Sequence, residues 1–311
     1  LNIERLKNFD FYMSVDQNVH RLHTNLTCLK STLRNFITYD GQQLVSIDIK
    51  NSQPYLSMIL FSENFWETKK IKNSYEAAGH TTPSCINNLP ITVPVLPTST
   101  LVNNVPIAVP ALPASTHISN VSMMCVSKRI YKLINSDTAY LNTLIMCLKS
   151  VNLPINTDVS AFSKLVSNGR LYEEMSERIK NELNIEITER KKLKEIIFQV
   201  MFTDNRFIGQ KEAAPKRIFR KLFPNVYKFF NCIKKKDSTI LPRILQSIES
   251  HLILKVIAKR ISIERPDLPI FTIHDSIATT VGNEDYVSSV MMEELTKAIG
   301  ITPTLAFEYW K

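Results

Sequence analysis

Cysteine is scarce and scattered in this chain of 311 residues. The five present, Cys28, Cys85, Cys125, Cys147 and Cys232, are odd in number and form no CxxC pair. That pattern excludes a zinc knuckle and argues against a disulfide framework. They are expected to be reduced core residues, as in a cytoplasmic protein of bacterial, phage or mobile-element context. No apolar run approaches the length of a membrane span, and no signal peptide opens the chain. The first residue is Leu rather than Met, which leaves room for further domains upstream. An acidic excess is also lacking. The formal net charge is +9 and the pI about 9.2, a balance that suits a polyanionic partner. A hydrophobic fraction of 44% marks a globular chain, long enough for one large domain or two subdomains.

Residues 1–40 read as one or two basic helices leading into RLHTNLTCLKSTLRNF. The apolar run LVSIDI at 44–49 reads as a strand, followed by a turn and the helix start QPYLSMILF. Pro54 suits the first turn of that helix, where its missing N–H costs nothing. PITVPVLPTSTLVNN at 90–104 recurs as PIAVPALPASTHISN at 106–120. Proline every few residues forbids a helix or a central strand, so the repeat reads as an extended or flexible tethering insertion. From 121 to 235 the pattern is mostly helical, and IKKKD at 233–237 reads as a solvated loop. A helix at 241–261, the strand PIFTIHDS, a hairpin strand SIATTV closed by Gly282 and Asn283, and a helix near 285–299 complete the expected order.

Two aspartates carry the chemistry. Asp48 lies in LVSIDIKNSQPYL and Asp275 in PIFTIHDSIATT, each in a strand-like segment. Between them, RKKLKEIIFQVMF at 190–202 places Leu193, Ile196, Ile197, Val200 and Met201 on one buried stripe. Arg190, Lys194, Phe198 and Phe202 step by four along a second stripe, left for a ligand. Paired carboxylates beside a cationic helix suit metal-assisted nucleotidyl transfer. Two Mg²⁺ ions about 3.5–4 Å apart stabilise the attacking and leaving oxygens together, and Mg²⁺ needs only one or two carboxylates besides the substrate phosphates. Asp48 alone also reads as a strand-end turn residue. Arg190 and Lys194 equally fit a solvated face paired with Glu189 or Glu195.

The order of these motifs resembles the palm and fingers of family A DNA polymerases and of the related single-subunit phage-type RNA polymerases. RLHTNL, with Arg21, looks like the segment before the first palm strand that touches primer–template. DIKNSQPYL looks like motif A, with Asp48 as a metal ligand. GRLYEEM at 169–175 is similar to the stretch before the fingers helix. Arg190, Lys194 and Phe198 match the R-x3-K-x3-F spacing of motif B, and Phe202 stands where the family has its tyrosine. LQSIES resembles the segment carrying a glutamine, here Gln246. HDS matches motif C, with Asp275 as the second metal ligand and His274 near the primer terminus. The likeness covers roughly residues 20–60 and 165–285.

It also departs from the pattern. Gln53 stands where the DNA polymerases carry a glutamate that screens the sugar 2′-hydroxyl. Ser276 ends motif C as in the phage-type RNA polymerases, and Phe202-Thr203 replaces Tyr-Gly. The resemblance implies an α+β fold, an antiparallel-sheet palm with an inserted helical fingers subdomain. The divisions expected are 1–80 (N-terminal helices and motif A), 81–120 (the proline-rich insertion), 121–240 (fingers) and 241–311 (motif C). The implied activity is DNA-directed DNA polymerisation in replication or repair, on a DNA primer–template with nucleoside triphosphates and two Mg²⁺. Asp48, Asp275 and Lys194 would be catalytic. Arg190, Lys194, Phe198, Phe202 and Gln53 would bind nucleotide, and Arg21, Gln246 and His274 nucleic acid. A single-subunit RNA polymerase and an inactive nucleic-acid-binding palm are the alternatives.

Overall fold

The computed structural model describes residues 2–8, 10–66, 138–151, 157–206 and 208–311. The proline-rich repeat lies outside them. Where one or two helices were expected at the start, the chain instead forms a short helix α1 (Asn2–Lys7), an antiparallel ribbon of β1 (Met13–Val15) and β2 (Leu22–Thr24), and one further turn of helix, α2 (Ser31–Arg34). Leu22–Thr24 pairs with Met13–Val15 across a short loop, and the β-branched Val15 and Thr24 suit the extended chain.

β3 (Thr38–Tyr39) and β4 (Gln42–Ile49) make a hairpin through Asp40-Gly41. Both turn residues have positive φ, 48° and 74°, as a two-residue turn of the I′ kind requires. After β4 come α3 (Ser52–Leu56), a 3₁₀ turn (Ser57–Phe61) and α4 (Glu63–Trp66). The helical block follows: α5 (Thr138–Val151), α6 (Thr157–Ser167), α7 (Leu171–Leu183), α8 (Arg190–Phe202), α9 (Ala214–Leu222), α10 (Pro224–Ile233) and α11 (Ile240–Ser250). The last continues through a π-helical stretch (His251–Ile257) into α12 (Ala258–Glu264). β5 (Ile270–Ile273), β6 (Ser276–Thr280), α13 (Glu284–Ile299) and β7 (Leu305–Tyr309) close the chain. The fold is mixed helix and antiparallel sheet.

The sheet order is β3-β4-β6-β5, with β7 also paired to β4. Side chains alternate between its faces. Ile47, Ile49 and Ile277 join the large core built with the helices. Leu44, Ala278 and Ile273 lie on the other face, under Trp310. Asp48 falls on this second face by alternation, away from the helical core.

Candidate active site

The ladder between β4 and β6 sets Asp48 opposite Ser276, the residue after Asp275. His274 and Asp275 are the two turn residues of the β5–β6 hairpin. His274 has φ 56°, so a non-glycine residue holds the left-handed position at the cost of local strain. The Ser276 hydroxyl donates to the Ile273 carbonyl at 2.9 Å and braces the turn. Two carboxylates far apart in the chain therefore end up at the same end of two adjoining strands, Asp48 on β4 and Asp275 in the turn before β6.

Their charges interact. The Asp48 carboxyl is pushed up to about 7, first by burial and then by Asp275, with Lys194 opposing and Glu308 and Glu249 adding. Glu308 on β7 is the cross-strand partner of Ser46, so it shares the face of Asp48. Lys194 comes from α8, whose buried stripe of Leu193, Ile196, Ile197, Val200 and Met201 follows the sequence pattern. The second stripe is polar and aromatic. The Lys194 ammonium lies 5.4 Å from the Phe198 ring centre, and Phe198 packs on Phe202 with centroids 5.1 Å apart. Arg190 stands 5.0 Å over the Tyr172 ring and pairs with Glu173 at 2.9 Å, not with Glu189. Tyr172 is buried and feels both aspartates. Its phenol is pushed up to about 12, chiefly by burial, so it keeps its proton.

Gly169 explains how the Tyr172 segment comes so close. Its φ is +69°, and an added Cβ would lie 2.9 Å from Lys50 Cδ, two residues past Asp48. Only a glycine meets both demands.

A second polar group flanks the carboxylates. Glu249 on α11 is 1% exposed. Arg21 donates to its Oε1 from Nε at 3.0 Å and Nη2 at 2.7 Å, and the Gln53 amide donates to Oε2. Burial still outweighs this pairing and, with Asp275, pushes Glu249 up to about 7. Next to it, the Ser250 hydroxyl donates to the Val19 carbonyl at 2.7 Å, fastening the β1–β2 ribbon to α11. Arg21, expected to touch nucleic acid, is thus engaged within the protein. Gln246 lies one turn before Glu249 and is half-buried. His274 is lowered by burial, with Arg21 nearby. His274 Nδ1, Gln53 Oε1 and both side-chain polar atoms of Asn51 are buried without a partner among the described residues.

Sequence reasoning brought Asp48, Asp275, Lys194, Arg190, Phe198 and Gln53 into one neighbourhood and left Glu249, Tyr172 and Glu308 without roles. The alternation of LAFEYW at 305–310 was the available signal for β7 and Glu308. Lys234, expected on a solvated loop, is buried instead, because α10 runs to Ile233 and delivers it under α8.

No protein-family profile matches the chain, and no curated protein matches it. Among solved structures it is similar to the POL domain of Pol1 from M. smegmatis, in complex with DNA primer-template and dNTP. That likeness has a TM-score of 0.37 at 10% identity, over 96% of this chain and 47% of the other. The chain thus spans about half the length of that structure. Such a likeness is too slight to carry a functional conclusion, so the chemistry rests on the chain's own residues. No helix among the described residues is long and apolar enough to cross a membrane.

Proposed function

We propose that the chain is a template-directed nucleotidyltransferase, a DNA polymerase that extends a primer with nucleoside triphosphates. One observation carries this reading. Asp48 and Asp275 share one sheet end, and the Asp48 carboxyl is raised by burial and then by Asp275 while an α8 lysine pulls it back.

The donor set fits Mg²⁺. Two carboxylates with mutual repulsion are stabilised by a shared dication, and hard oxygen ligands are what Mg²⁺ takes. Asp48 and Asp275 would hold two such ions. When bound, they would make the primer 3′-hydroxyl acidic and offset triphosphate charge. Lys194 and Arg190 would hold the phosphates as fixed cations. Arg190 would have to exchange Glu173 for a phosphate, an easy trade for an exposed pair. Phe198, braced by Phe202, would stack on the incoming base. Tyr172, kept protonated, is a hydroxyl donor beside the carboxylates.

Primer extension decides the matter. Wild-type protein with Mg²⁺ and dNTPs should lengthen a primer on DNA, and Asp48→Asn and Asp275→Asn should not. Gln53 and Ser276 favour one competing reading, a single-subunit RNA polymerase, which a preference for rNTPs would establish. Salt-sensitive DNA binding with no extension under any Mg²⁺ concentration would leave only a nucleic-acid-binding palm.

A further inference from the structure

Two lysines away from the carboxylates are buried against the far end of α8. Lys234, directly after α10, is 7% exposed. It donates from Nζ to the Val200 carbonyl at 2.6 Å and the Thr203 carbonyl at 3.0 Å. Lys216 on α9 is 6% exposed. It donates to Thr203 Oγ1 at 2.5 Å, the Asp204 carbonyl at 2.9 Å and Asn205 Oδ1 at 3.1 Å. The Asp204 carboxylate is itself taken by Arg206. Backbone and side-chain oxygens, not a carboxylate, therefore receive both amines.

The last carbonyls of a helix have no donor within the helix. Most helices meet this with water or a left-handed glycine. Here Thr203 is extended, with φ −107° and ψ 159°, and its hydroxyl and N–H return to the Gln199 carbonyl. The carbonyls beyond are served by two other helices. Burying an amine is costly, and the cost is visible: burial, with Lys216 alongside, pushes Lys234 down to about 7. A costly bond between three helices at one end of α8 makes that end a fixed point. At the opposite end stand Arg190 and Lys194, beside Tyr172 and Asp48.

We propose that Lys234 is a positioning residue which, with Lys216, latches the C-terminal end of α8 to α9 and α10. The latch sets where Arg190, Lys194 and Phe198 stand relative to Asp48. Its consequence for catalysis rests on reading α8 as the triphosphate-binding helix; its mechanical part does not.

The test uses the full chain with Lys234→Met, which keeps the apolar stem and removes both bonds. Two measurements are made: amide hydrogen exchange over residues 199–205, and steady-state primer extension with Mn²⁺ affinity measured by calorimetry. The latch predicts exchange at least tenfold faster, KM for dNTP raised at least fivefold, and Mn²⁺ affinity within twofold of wild type. Lys234→Arg, which keeps donors, should recover most of the KM. Unchanged exchange overturns the latch. Faster exchange with unchanged KM overturns its positioning role, as does loss of Mn²⁺ affinity together with activity. Should Lys234→Met fail to fold, the same measurements on Lys216→Met decide by the same criteria. If wild-type protein extends no primer, the polymerase reading fails, while the exchange result still judges the latch.

Discussion

Asp48 faces Ser276 across the β4–β6 ladder, one residue from Asp275. The pairing fixes the two carboxylates from the backbone outward, since a slip of one residue would turn Asp48 into the helical core. The apolar pattern of β4 therefore protects the site. Val45, Ile47 and Ile49 can be buried on the helix side only if Asp48 points to the other face.

Keeping Asp48 there costs stability without a cation. Its carboxyl is raised from 3.8 to about 7, so its favourable contribution is full below pH 3.8 and is lost as pH rises through about 7. Asp48→Asn should stabilise the metal-free protein at pH 8 by about 1–3 kcal/mol, and by progressively less toward pH 4. Mg²⁺ should raise wild-type stability at pH 8 and leave the variant almost unmoved. Urea unfolding at several pH values, with and without Mg²⁺, measures both effects. A variant less stable than wild type at pH 8 would contradict the assignment.

Lys194 opposes the rise at Asp48. Removing it in Lys194→Met should therefore raise that carboxyl further, because the charged form loses a favourable neighbour. Since a carboxylate must ionise to bind a dication, the midpoint of the pH dependence of Mn²⁺ binding should move to higher pH. Nucleotide addition should fall by about 10²-fold. A midpoint that stays in place would separate Lys194 from the carboxylates.

Much of this site was legible from the chain because it depends on local order. The stripe from Leu193 to Met201 has helical spacing, and the strand containing Asp48 is an apolar run. The parts that were hidden depend on distant contacts. Glu249 sits within an ordinary amphipathic helix, and only Arg21 and Gln53, brought from elsewhere, make it an ionic hub. Lys234 belongs to a run of three lysines, and composition alone favours solvent for all three. Burial of the first is decided by where α10 ends against α8. The Asp40-Gly41 hairpin is different, since its turn pair was in plain sight. The helical reading of residues 1–40 passed over the strongest short-range strand signal in the segment.

The Arg21–Glu249 pair makes an asymmetric prediction. At pH 8, above the point where Glu249 titrates, Arg21→Ala leaves a carboxylate that is 1% exposed with its guanidinium partner gone. That change costs up to about 3–5 kcal/mol in comparable cases and less at lower pH, where the carboxyl takes up a proton. Glu249→Gln keeps the shape and removes the charge, and should cost less. The double variant should be more stable than Arg21→Ala alone, because no buried charge is stranded. Chemical denaturation of the four proteins in this cycle gives the coupling. Strict additivity would mean that the two side chains do not depend on each other.

Gly169 offers a test that touches neither charge nor metal. Alanine there would hold a left-handed φ of +69° and place its Cβ 2.9 Å from Lys50 Cδ and 3.2 Å from Lys50 Cβ. Backbone strain of about 1–3 kcal/mol would add to a contact with the Lys50 stem, whose Cβ can give way only with its backbone. Lys50 is tied through its N–H to the Thr304 carbonyl at 3.0 Å, and Thr304 in turn donates to the Ser167 carbonyl at 2.6 Å. Ser167 is thereby tied to the same strand end as Lys50, so relief has to come from the short stretch between Gly169 and Tyr172, which carries the Arg190 stack. Gly169→Ala should accordingly lower thermal stability and weaken nucleotide binding together. Lys50→Ala would remove Cδ, the nearest atom met by the new methyl group, leave only Cβ at 3.2 Å, and should restore part of the nucleotide binding in the double variant, while the loss from positive φ remains. A double variant that binds nucleotide no better than Gly169→Ala would show that strain at position 169, and not its approach to Lys50, governs the site.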